Sequence, residues 1–328
     1  MISLRRSLPL FAGTLLGLAS LASAADAPAK VDDYSDLSAS PSAYKNDNSK
    51  GVEKADKSDL TQELEMSGLY AFASRAKHGD DGFGNVSEAS SHFKYVAVPK
   101  IADDLFLRVG MEWDRFDFGT GGLHPNFGIP STLESEAVVI GVDWKLADQW
   151  LLRAEASPGF YGTSENIGTE TISVPITVGA VYLKSDDLQY IFGMEIDPRG
   201  QYLVLPAVGV RWRMSDKWVL DGVLPKPRVE YTLNTKTTLY AGASVSSGTF
   251  RVNEGTGSST GRPGLGGARV SYTEVGVGAG ASWKFLPGFV LEGDAGYLVY
   301  REFDYFNANA NFQPEPAPYV SLSVNAKF

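Results

Sequence analysis

The side chains best suited to chemistry in this chain are charged groups that recur at every second position within apolar stretches. Over residues 208–213, for example, Arg211 and Arg213 alternate with Val210 and Trp212. Successive side chains of a strand point to opposite faces, so the charges are confined to one face of each predicted strand. The ten side chains assigned to that face are Arg108, Glu112, Arg153, Glu155, Arg211, Arg213, Glu230, Glu274, Glu292 and Asp294.

Two interpretations of this charged face stay open. If it encloses water, the charges set a preference among ions or small solutes. If the charges pair with one another, they only stiffen the wall that carries them. Both signs are interspersed and neither dominates, so the sequence does not choose between the two.

Catalytic and metal-binding patterns are absent from the sequence. The three histidines, His78, His92 and His124, fall in or beside predicted outer loops and lack ligand-like spacing. An acidic, glycine-containing loop at 80–85 lacks the twelve-residue calcium-binding pattern. We therefore predict no catalytic residues, no enzyme activity, no cofactor and no bound metal.

A repeated hairpin unit positions the charged face. Residues 141–152, 209–220 and 280–291 share one spacing of a glycine, an aromatic ring, a turn and a second ring, and 179–190 is a looser copy. Rings that flank successive turns at one level suit a boundary between lipid and water, although they can also cap a soluble core. The predicted girdle comprises Trp144, Trp150, Trp212, Trp218, Trp283 and Phe289.

Glycine-rich residues 274–282 follow the same alternation, with Val275 and Val277 on one side and Gly276 and Gly278 on the other. This stretch is a strand face rather than a phosphate-binding loop. Charges confined to one face would lie outside in a sandwich and inside in a membrane barrel.

Connection lengths favour a barrel. Short connections at 102–104, 147–149, 185–187, 215–217, 234–237 and 287–288 alternate with generally longer ones at 78–86, 119–132, 252–268 and 304–317. The stretches of alternating apolar and polar residues from about Ser67 onward predict about fourteen strands that cross the membrane. Pro225 and Pro227 make 218–233 either a short hairpin or one kinked strand, with about twelve crossings as the fallback.

Both ends of the chain carry recognisable segments. Arg5 and Arg6 precede an apolar run and an Ala-Ser-Ala sequence, which predicts a cleavable signal peptide at 1–24. Residues 25–66 contain few large apolar side chains and are predicted to form a disordered, polar periplasmic segment. Residues 67–328 form the barrel, and its last ten residues alternate without a break and end on Phe328.

Composition narrows the class further. The chain has no cysteine, which excludes a disulfide framework and a lipid-anchored cysteine. Its formal net charge of −10 becomes −12 after residues 1–24 and their two arginines are removed, which argues against a nucleic-acid partner. With 35 glycines, 12% aromatic residues and a mean hydropathy of −0.12, the chain suits a barrel with a polar inside and an apolar outside.

The signal peptide, the girdle, the alternation and the terminal aromatic together resemble porin-like outer-membrane β-barrel proteins of Gram-negative bacteria, without the signature of a named porin. The resemblance implies an all-β fold, a transmembrane antiparallel up-and-down β-barrel in the outer membrane. It also implies that Phe328 is an assembly signal read by the barrel-assembly machinery. Outer-membrane lipid and lipopolysaccharide are the other expected partners, and the oligomeric state stays open.

The expected function is a porin-like channel for small polar solutes or ions. Two alternatives stay open, a non-conducting structural or adhesive barrel and a hydrophobic-solute transporter with an N-terminal plug. The polar character of residues 25–66 counts against the plugged transporter.

Overall fold

The computed structural model describes residues 60–78, 81–120, 128–164 and 168–328, which fold almost entirely into antiparallel strands. The strands are β1 Leu60–His78, β2 Asp81–Ala102, β3 Leu105–Gly119, β4 Thr132–Ala147, β5 Trp150–Ala156, β6 Gly159–Gly162, β7 Ile172–Ser173, β8 Ile176–Ser185, β9 Leu188–Ile196, β10 Val204–Arg213, β11 Trp218–Asp221, β12 Arg228–Thr232, β13 Thr237–Arg251, β14 Arg269–Leu286, β15 Phe289–Tyr305, β16 Ala310–Pro314 and β17 Ala317–Lys327. Helix α1 spans Gly255–Ser259, and 3₁₀ turns span Thr169–Thr171 and Pro263–Leu265. No helix among the described residues is long and apolar enough to cross a membrane.

The strands close into one barrel. β1 pairs with β2 on one side and with β17 on the other, in a register that runs from Glu63 opposite Lys327 to Ala71 opposite Tyr319. Three crossings are each interrupted once, between β5 and β6, between β7 and β8, and between β16 and β17. The seventeen strands therefore make fourteen crossings. The predicted fold class, an antiparallel up-and-down barrel of about fourteen strands, is confirmed.

The two prolines at 225 and 227 lie in the connection between β11 and β12, so the stretch is a short hairpin and the fallback of twelve crossings is unnecessary. A proline lacks a donor but keeps its acceptor. The carbonyl of Pro225 accepts a hydrogen bond from Val245 N, and that of Pro227 accepts one from Ala243 N.

Two of the long connections expected from the sequence are instead paired strands. β1 and β2 stay paired up to His78 opposite Asp81, and β15 pairs with β16 at Phe303 opposite Phe312. The ladder continues because inward-facing side chains at this level, such as Phe303 and Phe312, are fully buried. At the other end of the barrel the predicted short turns are present.

The barrel begins earlier than the predicted boundary at Ser67. β1 starts at Leu60, because residues 60–66 pair with β2 and residues 63–66 also pair with β17. These residues therefore belong to the wall and not to the polar segment. The predicted signal peptide and the remainder of the polar segment fall outside the described residues.

Apolar side chains cover the outside of the barrel. On β4, Val138 and Ile140 are each 50% exposed, whereas Val139 between them is fully buried. Exposed members of this belt include Val109, Met111, Val142, Phe192, Val208, Leu239, Val277, Val320 and Leu322. Such an exterior is stable where lipid replaces water, as in a transmembrane barrel.

The wall is incomplete beside the short β11–β12 hairpin. β10 pairs with β11 only at residues 211–213, and β13 pairs with β12 only at residues 238–242. Farther from the short turns, residues 204–209 of β10 are paired only with β9. Residues 246–250 of β13 are paired only with β14 among the described strands. β13 instead reaches β6, where Arg251 lies opposite Gly162 in a parallel bridge. The outer part of β13 thus approaches β6 and not β10, and we call this unpaired part of the wall the lateral gap.

Candidate functional site

The ten charged residues assigned to one face by the sequence all lie on the interior face of the barrel. The strand registers align Arg108, Glu112, Arg153 and Glu155 along the part of the inner wall built by β3 to β5. Arg211, Glu230, Glu274, Glu292 and Asp294 lie on the part built by β10 to β15, and Arg213 lies near the short-turn end, 3.5 Å from Asp187. Their role in lining a pore stays a prediction.

One ion-pair network spans β1 to β5. Lys94 Nζ lies 2.7 Å from Glu155 Oε1, and Arg108 Nε donates to Glu155 Oε2 at 2.9 Å. Arg108 Nη1 also lies 3.0 Å from a Glu63 carboxylate oxygen, and Arg153 Nε donates to Asp143 at 2.6 Å. All of these side chains are mostly buried, so their mutual pairing offsets the cost of removing them from water.

A second network crosses β10 to β15. Arg228 Nε donates to Glu230 at 2.6 Å, and its Nη1 lies 3.4 Å from Glu292. The Arg228 guanidinium also lies over the Tyr240 ring, 4.7 Å from its centroid. Beside them Arg211 pairs with Asp221 at 3.4 Å. The second network fixes the charged wall opposite the first.

A cavity of about 200 Å³ lies between β1–β3 on one side and β13–β15 with β17 on the other. Its hydroxyl-bearing side chains include Ser67, Ser90, Ser244, Ser246, Ser321 and Ser323. Charged groups of both signs also line it, among them His92, Lys94, Glu112, Asp114, Lys226, Arg228, Glu292 and Asp294. The cavity therefore offers donors, acceptors and charge to a small polar molecule.

Glycines on β14 make room for two tyrosines at the cavity wall. A Cβ at Gly278 would lie 2.6 Å from Tyr319 Oη, and a Cβ at Gly280 would lie 2.8 Å from Tyr240 Cζ. Tyr240 Oη in turn donates to Asp294 at 3.2 Å. The glycine-rich face of β14 therefore packs against the rings of Tyr319 and Tyr240.

An outer apolar cluster fills the barrel at the end opposite the short turns. It comprises Ala76, Val86, Phe116, Phe118, Ile129, Leu133, Phe250, Val252, Leu265, Val270, Tyr272, Phe303, Tyr305 and Phe312. Edge-to-face ring contacts hold it together, for example Phe118 with Phe303 at 4.8 Å. Because Phe116 belongs to the cluster and also lines the cavity, the cluster forms the outer roof of the cavity.

A second, inner apolar cluster of Leu151, Val181, Ile191 and Val223 lies on the inner wall beside the lateral gap. Val223 comes from the β11–β12 connection, and Leu224 and Val245 pack against the cluster. The clusters were not predicted, because alternation shows which side chains point inward but not which of them meet.

The outer loops gather positive charge outside the membrane-spanning segments. Burial and the neighbouring Arg269 and Arg251 lower the pKa of the Arg199 guanidinium. Arg251 pairs with Glu254 at 2.9 Å, and the Arg262 guanidinium lies 5.3 Å from the centroid of the Phe312 ring.

His92 was wrongly placed in or beside an outer loop. It lies on β2 and faces the cavity, directly opposite Asp114 of β3. Its Nδ1 lies 2.6 Å from Asp114 Oδ1. The alternation of Ser90, His92 and Lys94 was the available signal, because it matches a strand that faces inward. His124 and the side chain of His78 are not among the described parts of the structure.

Other interior charges were also missed, although they share the alternation of predicted residues. They are Glu63, Glu88, Lys94, Asp143, Asp221, Arg228 and Arg301. Each occupies an inward position of its strand, where inward side chains recur at every second residue or after a bulge.

The girdle residues lie on the exterior. Trp144, Trp212, Trp218 and Trp283 are between 45% and 50% exposed, and Trp150 and Phe289 are half-buried. The Trp150 ring lies 4.9 Å from Tyr182, and the Phe289 ring stacks on that of Phe328 at 5.9 Å. Aromatic rings therefore surround the short-turn end.

Comparisons with known proteins give a family and several loosely similar barrels. A family model described as a domain of unknown function, DUF6268, matches residues 129–327. No curated protein matches the chain. Three solved structures that resemble it are a deletion mutant of the TodX monoaromatic hydrocarbon channel, an outer membrane channel from Pseudomonas putida F1, and a Pseudomonas aeruginosa FadL homologue.

The three structures are distant from this chain. Their identities are 10%, 11% and 11%, and their TM-scores are 0.45, 0.44 and 0.39. The matches cover 82%, 81% and 82% of this chain and 90%, 95% and 89% of the other chains, in the same order. At these scores the likeness does not bear on function, which depends on the geometry of the barrel itself.

Proposed function

The chain belongs to the family described as a domain of unknown function, DUF6268, and we propose that it is an outer-membrane channel for small polar solutes. The apolar belt and the aromatic girdle support a place in a membrane, because lipid stabilises both. A barrel with an apolar outside and a charged inside suits the bacterial outer membrane. The predicted signal peptide accounts for export of the chain toward that membrane.

The polar cavity is the observation that carries the proposed function. Serine hydroxyls, carboxylates and cationic groups converge on about 200 Å³ of space, where a solute can exchange its water for protein hydrogen bonds. The two ion-pair networks border the cavity, through Lys94 and Glu112 on one side and through Arg228 and Glu292 on the other. A solute pathway through this barrel is therefore narrow and selective rather than a wide aqueous pore.

The outer apolar cluster gives the channel a closed state. Most of its members are fixed on strands, but Ile129, Val252 and Leu265 lie outside them. Leu265 is only 2% exposed and belongs to the 252–268 connection. We propose that a solute passes when this connection withdraws Leu265 from the cluster.

Solute entry into proteoliposomes tests this function. We expect slow swelling with small polar solutes, a steep decline with solute size, and faster entry for Leu265→Asn, which disrupts the closed cluster. Leu286→Asn is the matched control, because Leu286 is 56% exposed beside a short turn. A folded barrel that admits no solute, even with Leu265→Asn, would favour the structural or adhesive alternative.

The lateral gap supports a second candidate function, passage of an apolar solute sideways into the membrane. The inner apolar cluster lies beside this gap, and Val208 at the unpaired edge of β10 is 72% exposed. Mass spectrometry of purified protein distinguishes the two functions. An apolar ligand retained by the native barrel and lost from Val223→Asp would favour this second function over the polar channel.

The partners we propose follow from the two ends of the barrel. β17 and Phe328 present the chain terminus to the assembly machinery, while the belt contacts lipid. Arg199, Arg251 and Arg269 lie near one another at the outer loops, where guanidiniums suit the phosphates of lipopolysaccharide.

A further inference from the structure

We propose that His92, Glu112 and Asp114 form a binding site for a divalent transition-metal ion inside the barrel. One potential ligand atom from each side chain lies within 4.8 Å of the other two. All three residues line the cavity, which leaves space for an ion beside them. An imidazole with two carboxylates is a donor set that Zn²⁺ and its neighbours in the first transition row accept.

The strand register holds the three ligands together. β2 and β3 place His92 directly opposite Asp114, and Lys94 directly opposite Glu112. Since inward positions alternate, Glu112 and Asp114 are neighbours on the same face of β3. The ligands therefore stand on paired backbone and not on loops, which limits the reorganisation that binding requires.

The present contacts leave ligand atoms available. Asp114 accepts from Ser135 Oγ at 3.0 Å through Oδ2, which orients the carboxylate and leaves Oδ1 facing His92. Lys94 Nζ lies closer to Glu155, at 2.7 Å, than to Glu112 Oε2, at 3.4 Å. Among the described contacts no hydrogen bond engages Glu112 Oε1.

His92 and Asp114 need only a small movement to admit an ion between them. His92 Nδ1 and Asp114 Oδ1 are now 2.6 Å apart. Two ligand atoms about 2.1 Å from a tetrahedral zinc ion stand about 3.4 Å apart. Replacing the hydrogen bond by two metal bonds therefore requires a separation of less than about 1 Å, within reach of side-chain rotation.

The net charge around the three ligands also favours a bound cation. The first network and the cluster joined to it through Lys94 contain the carboxylates of Glu63, Glu112, Asp114, Asp143 and Glu155, and Lys94, Arg108 and Arg153 as permanent cations. When His92 is neutral, these paired groups carry an excess of two negative charges. A divalent ion offsets that excess, and buried charge is stable only when it is compensated.

Calorimetric titration of the refolded full-length mature barrel with ZnCl₂ tests the site. The protein carries no affinity tag and has His78→Gln and His124→Gln, so that His92 is the single histidine. We expect one Zn²⁺ per barrel, with affinity reduced at least about tenfold by His92→Gln, Glu112→Gln or Asp114→Asn. Asp294→Asn is the matched control, because Asp294 lines the same cavity outside the cluster. We expect this replacement to leave Zn²⁺ binding unchanged.

Two further measurements separate loss of the site from loss of the fold. Heat-modifiable migration on gels shows whether each variant is folded. His92→Cys places the only thiol of the chain at the site, and Cd²⁺ should then produce a thiolate-to-metal charge-transfer band. Folded protein that binds no Zn²⁺, equal binding by all variants, or no Cd²⁺ band in folded His92→Cys would overturn the proposal. None of these results depends on whether the barrel conducts.

Discussion

Lys94 on β2 and Glu155 on β5 form an ion pair of 2.7 Å although two strands, β3 and β4, lie between them in the wall. Arg108 of β3 approaches the same carboxylate at 2.9 Å. The interior charges therefore connect strands that are not adjacent and do not simply line a pore. They hold one side of the barrel in a fixed shape around the cavity.

Glu155→Gln is expected to destabilise the barrel by about 3 to 5 kcal/mol, because it removes the buried carboxylate that Lys94 and Arg108 both contact directly. Urea titrations of protein in lipid vesicles, followed by tryptophan fluorescence, measure the change. Asp103→Asn is the control, since Asp103 pairs with Lys100 on the surface and such pairs contribute little. Equal unfolding midpoints for both variants would contradict the role of the network.

Val277→Arg is expected to cost about 2 to 4 kcal/mol, since an arginine near the middle of the lipid-facing belt must leave water. Val277 is 42% exposed on the exterior of β14. Val277→Leu keeps the position apolar and should be nearly neutral in the same refolding titration.

Ser323→Asn supplies the interior control for this comparison, because Ser323 lines the polar cavity. The neighbouring interior position, Gly278, is unsuitable as a control, because a Cβ there would lie 2.6 Å from Tyr319 Oη. If Val277→Arg and Val277→Leu had the same stability, the exterior of β14 would not face lipid.

Deleting Phe328 is expected to reduce the amount of assembled protein in the outer membrane. Its ring stacks on Phe289, with an interplanar angle of 7°, and its backbone exchanges hydrogen bonds of 2.7 and 3.1 Å with Gln62 at the seam. Heat-modifiable protein in membrane fractions is the measurement.

Phe289→Ala separates the ring contact from the terminal signal, because it removes the stacking partner and keeps the terminal aromatic. Assembly should be reduced more by the deletion than by Phe289→Ala. Equal, full assembly of the deletion variant would show that the terminal residue carries no signal.

Lys226→Glu is expected to shift the reversal potential toward cations in asymmetric salt, because Lys226 is an exposed cation that lines the cavity. The shift should grow at low ionic strength, since the Debye length rises from about 8 Å at physiological salt to about 30 Å at 0.01 M. Lys100→Glu, at a turn outside the cavity, should leave the reversal potential unchanged. An unchanged potential for a conducting Lys226→Glu channel would place the cavity outside the solute path.

Alternation in the sequence was enough to predict the crossings and the inward face, because a strand repeats every two residues and one face must suit lipid. It was not enough to predict that Lys94 reaches Glu155, since that pairing depends on curvature that brings β2 near β5. The position of His92 and the outer apolar cluster were missed for a related reason. β1, β2 and β15 stay paired beyond the level where loops were expected, and their side chains then meet inside the barrel.

Single-channel recording of the refolded protein in planar bilayers tests the central claim most directly. A narrow channel closed by the outer apolar cluster should show small, infrequent openings, and Leu265→Asn should increase the time spent open without changing the number of inserted barrels. Large openings that are continuous in the native protein would contradict the closed outer cluster. Correctly inserted native and Leu265→Asn barrels that never conduct would contradict the channel itself.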